Sequence, residues 1–288
     1  MKKSSVGIIM CTYNEVLSQI SEAIDSILNQ TFKDFYLFVV CDNPERDDIS
    51  NLIKKYQKKD SRIELIQNKK NIGSSLSKNL VLNKIKCKYI AIMDADDISL
   101  PNRLEEEYNY LETHQKCDIV CCNQIQMNIK SETIKNNYTI KKIDSKQMKR
   151  ILLFGCPITH SGIMCRKEVY DKCQGYRKLS ANIDYDLYLR ALSLKFNIEM
   201  IPKILVKYRI NENNITNSNI FRSIMYSNYV RGLYLERIFL KKDSYSEKNL
   251  KKFELKMKIN DKDLTVKRNK IWEKYQTLKK NILNIIKK

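Results

Sequence analysis

The chain has 288 residues, 43% of them hydrophobic, and a formal net charge of +20 at pH 7. This length and composition indicate a globular protein with one large domain, or one domain with an appendage, and exclude a disordered chain. No apolar stretch reaches the roughly 18 residues that a membrane-spanning helix needs, and the first apolar run is too short for a signal peptide. We therefore expect a cytoplasmic protein.

Strands alternate with helices over the first hundred residues. Apolar runs predict the strands, and apolar residues at helical spacing predict the helices. Because each crossover must return the chain to the same edge of a sheet, this order predicts an α/β fold with a mostly parallel sheet and helices on both faces. The predicted order is strand 6–11, helix 17–28, a strand ending at Asp42, helix 49–56, strand 62–66, helix 76–85 and strand 88–93.

The second part of the chain is less regular. After Pro101 a helix leads to the strand CDIVCC at 117–122, and residues 124–150 are predicted to be polar and irregular. A further strand is predicted within 156–170, a helix over 184–196 and a last strand over 198–210. From about residue 217 the pattern is helical.

We divide the chain into a main domain, residues 1–215, and a basic helical extension, residues 216–288. The domain is divided in turn into two halves, about 1–123 and 124–215. Residues 241–288 hold 16 Lys or Arg and 6 Asp or Glu, a net charge of +10. Half of the positive excess therefore lies in the last sixth of the chain.

Nine cysteines form an odd set scattered through apolar segments, which is typical of reduced, buried thiols. His114, Cys117 and Cys121 could be imagined as zinc ligands. However, CxxC pairs are absent, and a closed zinc site needs four converging ligands. The strand interpretation of CDIVCC is therefore favoured.

Polar residues follow three of the predicted strands. In parallel sheets, ligands bind beyond the carboxyl ends of the strands, so Tyr13, Asp42 and the acids of 94–97 should converge on one crevice. Asp94, Asp96 and Asp97 would repel one another, and a divalent cation would neutralise them. Mg²⁺ or Mn²⁺ commonly takes one or two carboxylates and leaves its other positions to water and phosphates. The alternative is a helix N-terminal cap, which suits Asp97 alone.

The sequence lacks the glycine-rich and P-loop motifs by which other nucleotide-binding proteins hold phosphates. A metal-held diphosphate fits the carboxylates better. Tyr13 can stack on a base and Asp42 can accept a hydrogen bond from a pyrimidine imide, although a tyrosine after a strand is more often a packing residue.

Six segments occur in the order and spacing seen in family-2 glycosyltransferases with the GT-A fold. The resemblance covers about residues 4–210, and its most specific part is DADD followed by PNRL. It implies an inverting transferase that moves a sugar from a nucleotide donor to an acceptor with a divalent metal, Mn²⁺ or Mg²⁺, on the diphosphate. The segments are SVGIIMCTYNE, AIDSILNQTFKDFYLFVVCDN, NIGSSLSKN, YIAIMDADDISLPNRL, THSGIMCRK and DYDLYLR.

The resemblance makes residues 1–215 the catalytic domain, with a nucleotide-binding half, about 1–123, and an acceptor-side half, 124–215. It also assigns roles to individual positions. Asp96 matches the metal ligand of the DxD motif and Asp94 its nucleotide-side acid, and Asn79 matches a frequent Asn beside a basic residue. The residues predicted to bind the donor are Thr12, Tyr13, Asn14, Glu15, Asp42, Gly73, Lys78, Asp94, Ala95 and Asp96. Those predicted on the sugar or acceptor side are His160, Asp97 and Arg103, although His160 could equally be a satisfied structural residue.

Inversion by direct displacement requires a group that removes the proton of the acceptor hydroxyl, and Asp184 matches the general base of the family. Asp186, two residues further on, would point elsewhere and support the site. The family commonly has an acid where this chain has Ile183, which leaves the choice of sugar open. It also commonly has Pro in place of Cys11 and an acid in place of Cys41.

Three functions are compatible with the sequence. The first is a metal-dependent inverting glycosyltransferase, using a nucleotide sugar such as UDP-sugar, that extends a bacterial surface polysaccharide or lipooligosaccharide. The alternatives are a nucleotidyltransferase acting on a sugar phosphate and a non-catalytic module that binds nucleotide sugars. The lysine-rich helices of 241–288 would pack on the catalytic domain or bind the inner face of an anionic membrane. Nucleic-acid binding has no recognised motif in its favour.

Overall fold

The computed structural model describes residues 4–134, 140, 142–210 and 220–261. The strands are β1 Val6–Thr12, β2 Phe35–Cys41, β3 Ile63–Gln67, β4 Tyr89–Asp94, β5 Ile98–Ser99, β6 Ile119–Met127, β7 Thr133–Ile134, β8 Ile163–Arg166 and β9 Ile198–Arg209. The helices are α1 Leu17–Leu28, α2 Asp47–Lys59, α3 Ser74–Leu82, α4 Arg103–Thr113, α5 Ser145–Leu152, α6 Lys167–Cys173, α7 Ile183–Ser193, α8 Ile220–Leu235 and α9 Glu247–Asp261.

The strands of the described residues form one sheet in the order β3-β2-β1-β4-β8-β6-β9-β5, with β7 paired to β6. The first four strands are parallel, as predicted. β8 runs antiparallel to both β4 and β6, and β6 and β9 are parallel. The sheet is therefore mixed, with its parallel part at the N-terminal side.

Helices cover both faces of the sheet, and each face has its own apolar core. Strand side chains alternate between faces, so Ile8 and Met10 belong to one core cluster and Ile9 to the other. The first cluster includes buried residues of α1, α2 and α4. The second includes residues of α3, α5, α6, α7 and α8. This confirms the predicted α/β architecture.

The segment expected to be irregular, 124–150, contains more structure than predicted. β6 continues to Met127, and α5 occupies Ser145–Leu152. The Asp144 carboxylate accepts from the backbone N–H of Gln147, and the side-chain oxygen of Gln147 accepts from the backbone N–H of Asp144. These two hydrogen bonds form a capping box. The expectation of a wholly irregular segment was wrong. The capping box begins a helix that buries only three apolar residues, too few to give a clear helical pattern in the sequence.

The C-terminal extension is helical where the structure describes it. Tyr226 and Val230 of α8 are fully buried, and the ring of Phe253 in α9 stacks on that of Tyr229 at 4.4 Å. The predicted lysine-rich helices extend over 241–288, and their part at 262–288 lies outside the described residues. In the described part of the chain, no helix is both long enough and apolar enough to cross a membrane.

Candidate active site

The ends of β1, β2 and β4 lie side by side. Cys11 is in register with Asp94 of β4, and Thr12 is in register with Cys41 of β2. The residues that follow these strands therefore share one edge of the sheet, as predicted. Tyr13 is 42% exposed there, whereas Thr12 is buried and its hydroxyl has no partner among the described residues.

The loop after β1 is held by short polar contacts. The Tyr13 amide donates to Glu15 Oε2 at 2.6 Å, and Asn14 Oδ1 accepts from Asn43 Nδ2 at 2.8 Å. Three of the predicted donor-binding residues are thus oriented within one turn. Ala95 is 2% exposed and belongs to the first apolar cluster, and its contact with the donor stays a prediction.

Asp42 fixes the loop that precedes α3. Its Oδ1 accepts from Asn68 Nδ2 at 2.7 Å and from the Ile72 amide at 3.0 Å, and its Oδ2 accepts from the Gly73 amide at 2.8 Å. Gly73 has φ +85°, which a residue with a Cβ rarely adopts. The free acceptor position of Asp42 is therefore on Oδ2, and contact with a base stays a prediction.

Lys78 is a buried cation beside this crevice. It is 3% exposed and donates to Ser74 Oγ at 2.6 Å. Among the described residues, no carboxylate forms an ion pair with it. Burial raises the pKa of the Cys11 thiol to about 12, and the charge of Lys78 opposes this rise. Burial lowers the pKa of His160, and the charge of Lys78 lowers it further. A buried ammonium group without a carboxylate partner favours an anionic ligand.

Asn79, next to Lys78, joins α3 to the loop after α6. Its Nδ2 donates to the Tyr176 carbonyl and its Oδ1 accepts from the Tyr176 amide, both at 2.8 Å. A Cβ on the preceding Gly175 would meet Asn79 Oδ1 at 2.4 Å. Asn79 is therefore a structural clamp that positions the wall formed by Tyr176.

Ser161 ties the acidic loop after β4 to β8. Its hydroxyl lies 2.5 Å from Asp97 Oδ2 and 3.1 Å from Asp94 Oδ2, and it accepts from the Asp94 amide at 3.2 Å. Asp97 is 1% exposed, and its Oδ1 accepts from the Arg209 amide. We predicted Asp97 on the acceptor side. The structure corrects this prediction, because protein donors enclose the carboxyl group.

Among the acids of this loop, Asp96 makes the fewest side-chain hydrogen bonds with the described residues. It is partly exposed, and in the described part of the chain no side chain donates a hydrogen bond to it. Burial, together with the negative charges of Asp94 and Glu15, raises its pKa to about 7. A bound cation would offset this repulsion between the carboxylates.

The residues at this edge fit a divalent metal held in part by substrate. The described residues contain no group of three or more His, Cys, Asp or Glu side chains arranged as metal ligands. One or two carboxylates with phosphate oxygens suffice for Mg²⁺ or Mn²⁺. The zinc alternative has no convergent set: His114 is exposed and stacks on Tyr110 at 3.9 Å, whereas Cys117 and Cys121 are buried.

Arg209, at the end of β9, binds the backbone of the acidic loop. We did not predict this role from the sequence. It is 1% exposed, and its Nε donates to the Asp96 carbonyl at 2.6 Å. Its Nη2 donates to Glu22 Oε2 at 2.6 Å and its Nη1 to Ser131 Oγ at 3.0 Å. A lone arginine at the end of an apolar strand was the available signal.

Arg103 does not face a ligand. It is fully buried and paired with Glu107 at 3.2 Å, and its Nη2 donates to the carbonyls of Ile92 and Ile163. The predicted acceptor-side role of Arg103 is therefore wrong. This guanidinium group satisfies carbonyls of β4 and β8 inside the core.

His160 lies within a cluster of tyrosines. Its Nδ1 is 2.9 Å from the Tyr188 hydroxyl and its Nε2 is 3.1 Å from the Tyr176 hydroxyl, which in turn contacts the Tyr170 hydroxyl at 2.9 Å. Burial and the charge of Lys78 lower the pKa of His160 to about 4. Both ring nitrogens are bonded within the protein, as the structural alternative predicted. Contact between His160 and a sugar stays a prediction.

Asp184 lies in the first turn of α7 and is partly exposed. Burial raises the pKa of the Tyr176 hydroxyl, and the charges of Asp184 and Asp94 add to this effect. The same two charges act on His160, so the predicted base and the predicted nucleotide-side acid lie within electrostatic range of the same pair of rings. Asp186, in contrast, is fully buried and paired with Arg190 at 2.8 Å and Arg177 at 3.5 Å, so it supports the structure.

Comparison with known proteins agrees with this geometry. The profile described as Glycosyl transferase family 2 matches residues 7–174. The sequence is 34% identical over 229 residues to an uncharacterized glycosyltransferase of Methanocaldococcus jannaschii, covering 80% of this chain and 79% of the relative. It is 33% identical over 223 residues to the O-antigen biosynthesis glycosyltransferase WbnJ of Escherichia coli, covering 76% and 83%.

The fold is similar to that of S. aureus TarS 1–349, solved in complex with UDP-GlcNAc. The TM-score is 0.65 over 86% of this chain and 70% of TarS, at 15% sequence identity. At that identity the likeness concerns the fold.

Proposed function

The chain belongs to glycosyl transferase family 2 and has the GT-A fold; on that basis we propose that it transfers a sugar from a UDP-sugar donor to a hydroxyl group of a glycan or lipid-linked acceptor. The acceptor would belong to a bacterial surface polysaccharide or lipooligosaccharide. The description of WbnJ as an O-antigen biosynthesis enzyme supports that class of product. UDP is favoured because Tyr13 and Asp42 suit a pyrimidine, and because TarS was solved with UDP-GlcNAc.

The observation that carries the proposal is that a buried positive charge and a loop of carboxylates lie at the same edge of the sheet. Lys78 is a buried cation without a carboxylate partner among the described residues, and the unpartnered Thr12 hydroxyl lies at the same edge. The acidic loop 94–97 follows the adjacent strand. A diphosphate held between a fixed cation and a metal-binding carboxylate would satisfy both groups.

We propose Asp96 as the protein ligand of a divalent metal, Mn²⁺ or Mg²⁺. The chemistry that such an ion supplies, when bound, is stabilisation of the negative charge on the departing diphosphate. Ser161 and Arg209 would keep the loop that carries Asp96 in place, since they bind Asp94, Asp97 and the Asp96 carbonyl.

In the proposed reaction the acceptor oxygen attacks the anomeric carbon of the donor and Asp184 takes the hydroxyl proton. The bond between that carbon and the diphosphate oxygen breaks on the opposite side, and its electron pair leaves with UDP. The anomeric configuration is therefore inverted. Lys78 would stabilise the leaving oxygens as a preorganised positive charge.

Substitution of Asp96 and of Asp184 tests the proposal. With radiolabelled UDP-sugars and Mn²⁺, we expect Asp184→Asn to lower the rate of transfer at least about 100-fold while UDP binding is kept. Asp96→Asn should lower the rate by a similar factor, about 100-fold or more, and also weaken the stabilisation by UDP and Mn²⁺ in a thermal-shift assay.

A matched control is Asp171→Asn, which alters an exposed carboxylate on α6 that pairs only with Lys167 among the described residues. Full activity of both Asp96→Asn and Asp184→Asn would refute the assigned roles. With UTP and a sugar phosphate as substrates, release of inorganic diphosphate with the nucleotide retained on the product would instead identify a nucleotidyltransferase.

A further inference from the structure

The end of α8 and the π-helical turn after it, Glu236–Leu240, expose large apolar side chains. Leu235 is 46% exposed, Phe239 74% and Leu240 69%. Leu235 and Phe239 are four residues apart and therefore lie on one helix face. The opposite face, including Leu233 and Val230, is buried. The exposed apolar residues therefore do not belong to the buried face by which this helix packs on the domain.

Two further apolar residues lie beside this helix. Leu153 and Phe154, which follow α5, are 38% and 41% exposed. Arg231 Nη1 donates to their carbonyls at 3.4 and 3.0 Å, one helical turn before Leu235. We refer to Leu153, Phe154, Leu235, Phe239 and Leu240 as the apolar tip.

Positive charge borders the apolar tip. Lys241 and Lys242 directly follow Leu240 and are exposed. The nearby carboxylates are turned to the protein: Asp243 pairs with Arg177 and with Arg237, and Glu236 accepts from the Ser244 amide at 3.1 Å. Residues 220–261 hold 10 Lys or Arg and 5 Asp or Glu, a net charge of +5.

We propose that the apolar tip, with Lys241 and Lys242, binds the surface of an anionic lipid bilayer. Phe and Leu side chains enter the boundary between headgroups and acyl chains, and adjacent lysines attract anionic headgroups. Charge complementarity favours this occupant over a second copy of the chain, because each copy carries +20 and presents the same lysines. The contact is peripheral.

The position of the tip suits an acceptor carried on a lipid, a point that rests on the proposed function. The Tyr185 hydroxyl, next to Asp184 in the chain, donates to the carbonyl of Leu152, which directly precedes Leu153 and Phe154. The bilayer would therefore lie near the end of the crevice that contains the predicted base. Membrane binding itself does not depend on the assignment of Asp184.

Vesicle co-sedimentation of the full chain tests the proposal. We expect binding to vesicles of equimolar phosphatidylglycerol and phosphatidylcholine, weakened by salt, and little binding to phosphatidylcholine alone. The double variant Phe239→Ser with Leu240→Ser should lose at least about tenfold in partitioning, since both side chains leave the apolar phase. Lys241→Glu with Lys242→Glu should weaken binding to the anionic vesicles, because the two lysines no longer attract the headgroups.

The matched control is Leu80→Ser, which replaces a 41% exposed leucine on α3 and should partition as the unaltered chain does. An unchanged thermal midpoint and unchanged UDP binding would show that each variant is folded, so loss of vesicle binding is separable from loss of function. Undiminished vesicle binding by Phe239→Ser with Leu240→Ser would overturn the proposal and point to residues 262–288. A concentration-dependent dimer that this variant abolishes, measured by sedimentation velocity without vesicles, would also overturn it.

Discussion

Hydrogen bonding within the protein separates the acids of the crevice into two groups. Asp97 accepts from a backbone amide and a buried hydroxyl, and Asp186 accepts from two arginines. Asp96 and Asp184 are partly exposed and receive no such bonds from the described side chains. A carboxylate that is satisfied by protein donors holds the fold, whereas one that is not is available to a cation or a substrate proton.

His160 should make stability depend on pH in the acid range. Its pKa is about 4 in the folded protein and 6.5 in the unfolded reference, so between these values the unfolded chain binds more protons. Its contribution to the free energy of unfolding is complete above about pH 6.5 and decreases as the pH falls towards about 4. Between about pH 7 and about pH 5 the loss should reach at most about 2 kcal/mol.

Urea unfolding of the unaltered protein and of His160→Gln at these two pH values measures this effect. The unaltered protein should lose more of its unfolding free energy on acidification than the variant, which has no imidazole to protonate. Equal losses in the two proteins would show that the tyrosine cluster tolerates the charged ring.

Among the elements, α5 depends on its capping box. Met148, Ile151 and Leu152 are buried by this helix of eight residues, which is too short to be stable alone. Asp144→Ala removes the acceptor for the Gln147 amide and should lower the free energy of unfolding by about 1 kcal/mol. Urea unfolding checks this value, with the exposed Lys146→Ala on the same helix as the control. A loss no larger than that of the control would show that apolar packing alone holds α5.

The parallel strands were predictable because each has an apolar run and is followed by a helix with a regular apolar face. The antiparallel direction of β8 was not, because four residues carry no signal of strand direction. The sequence Asp144-Ser-Lys-Gln could have indicated the start of α5, since it matches a capping box, but the polar surroundings concealed it.

The place of the site was predictable and the function of each acid was not. Strand ends of a parallel sheet must meet at one edge, which brought Tyr13, Asp42 and Asp94 to the same edge as expected. Burial of Arg103 and Asp97 depends on β8 and β9, which are 60 or more residues away in sequence. Spacing along one strand and helix cannot reveal such partners, so both residues were assigned to the acceptor side.

At the scale of the whole molecule, the sheet is continuous across the predicted halves. The predicted boundary between residues 123 and 124 falls within β6, which pairs with β8 and β9. β4, from the nucleotide-binding half, pairs directly with β8. Both apolar clusters also contain residues from before and after residue 123. One continuous sheet thus supports the crevice: Asp96 follows β4, and α7, which carries Asp184, packs on that sheet through the second apolar cluster.

This continuity predicts a single unfolding transition for the two halves. Ile8→Ala in β1 and Leu189→Ala in α7 each remove a fully buried side chain, one from each apolar cluster. Each should cost about 2–5 kcal/mol and lower the midpoint of the same calorimetric transition. Lys58→Ala on the exposed side of α2 serves as the control and should leave the midpoint unchanged. Two separate transitions, each lowered by only one of the core variants, would contradict the prediction, because strands joined through β4 and β8 cannot unfold independently without exposing both apolar cores to water.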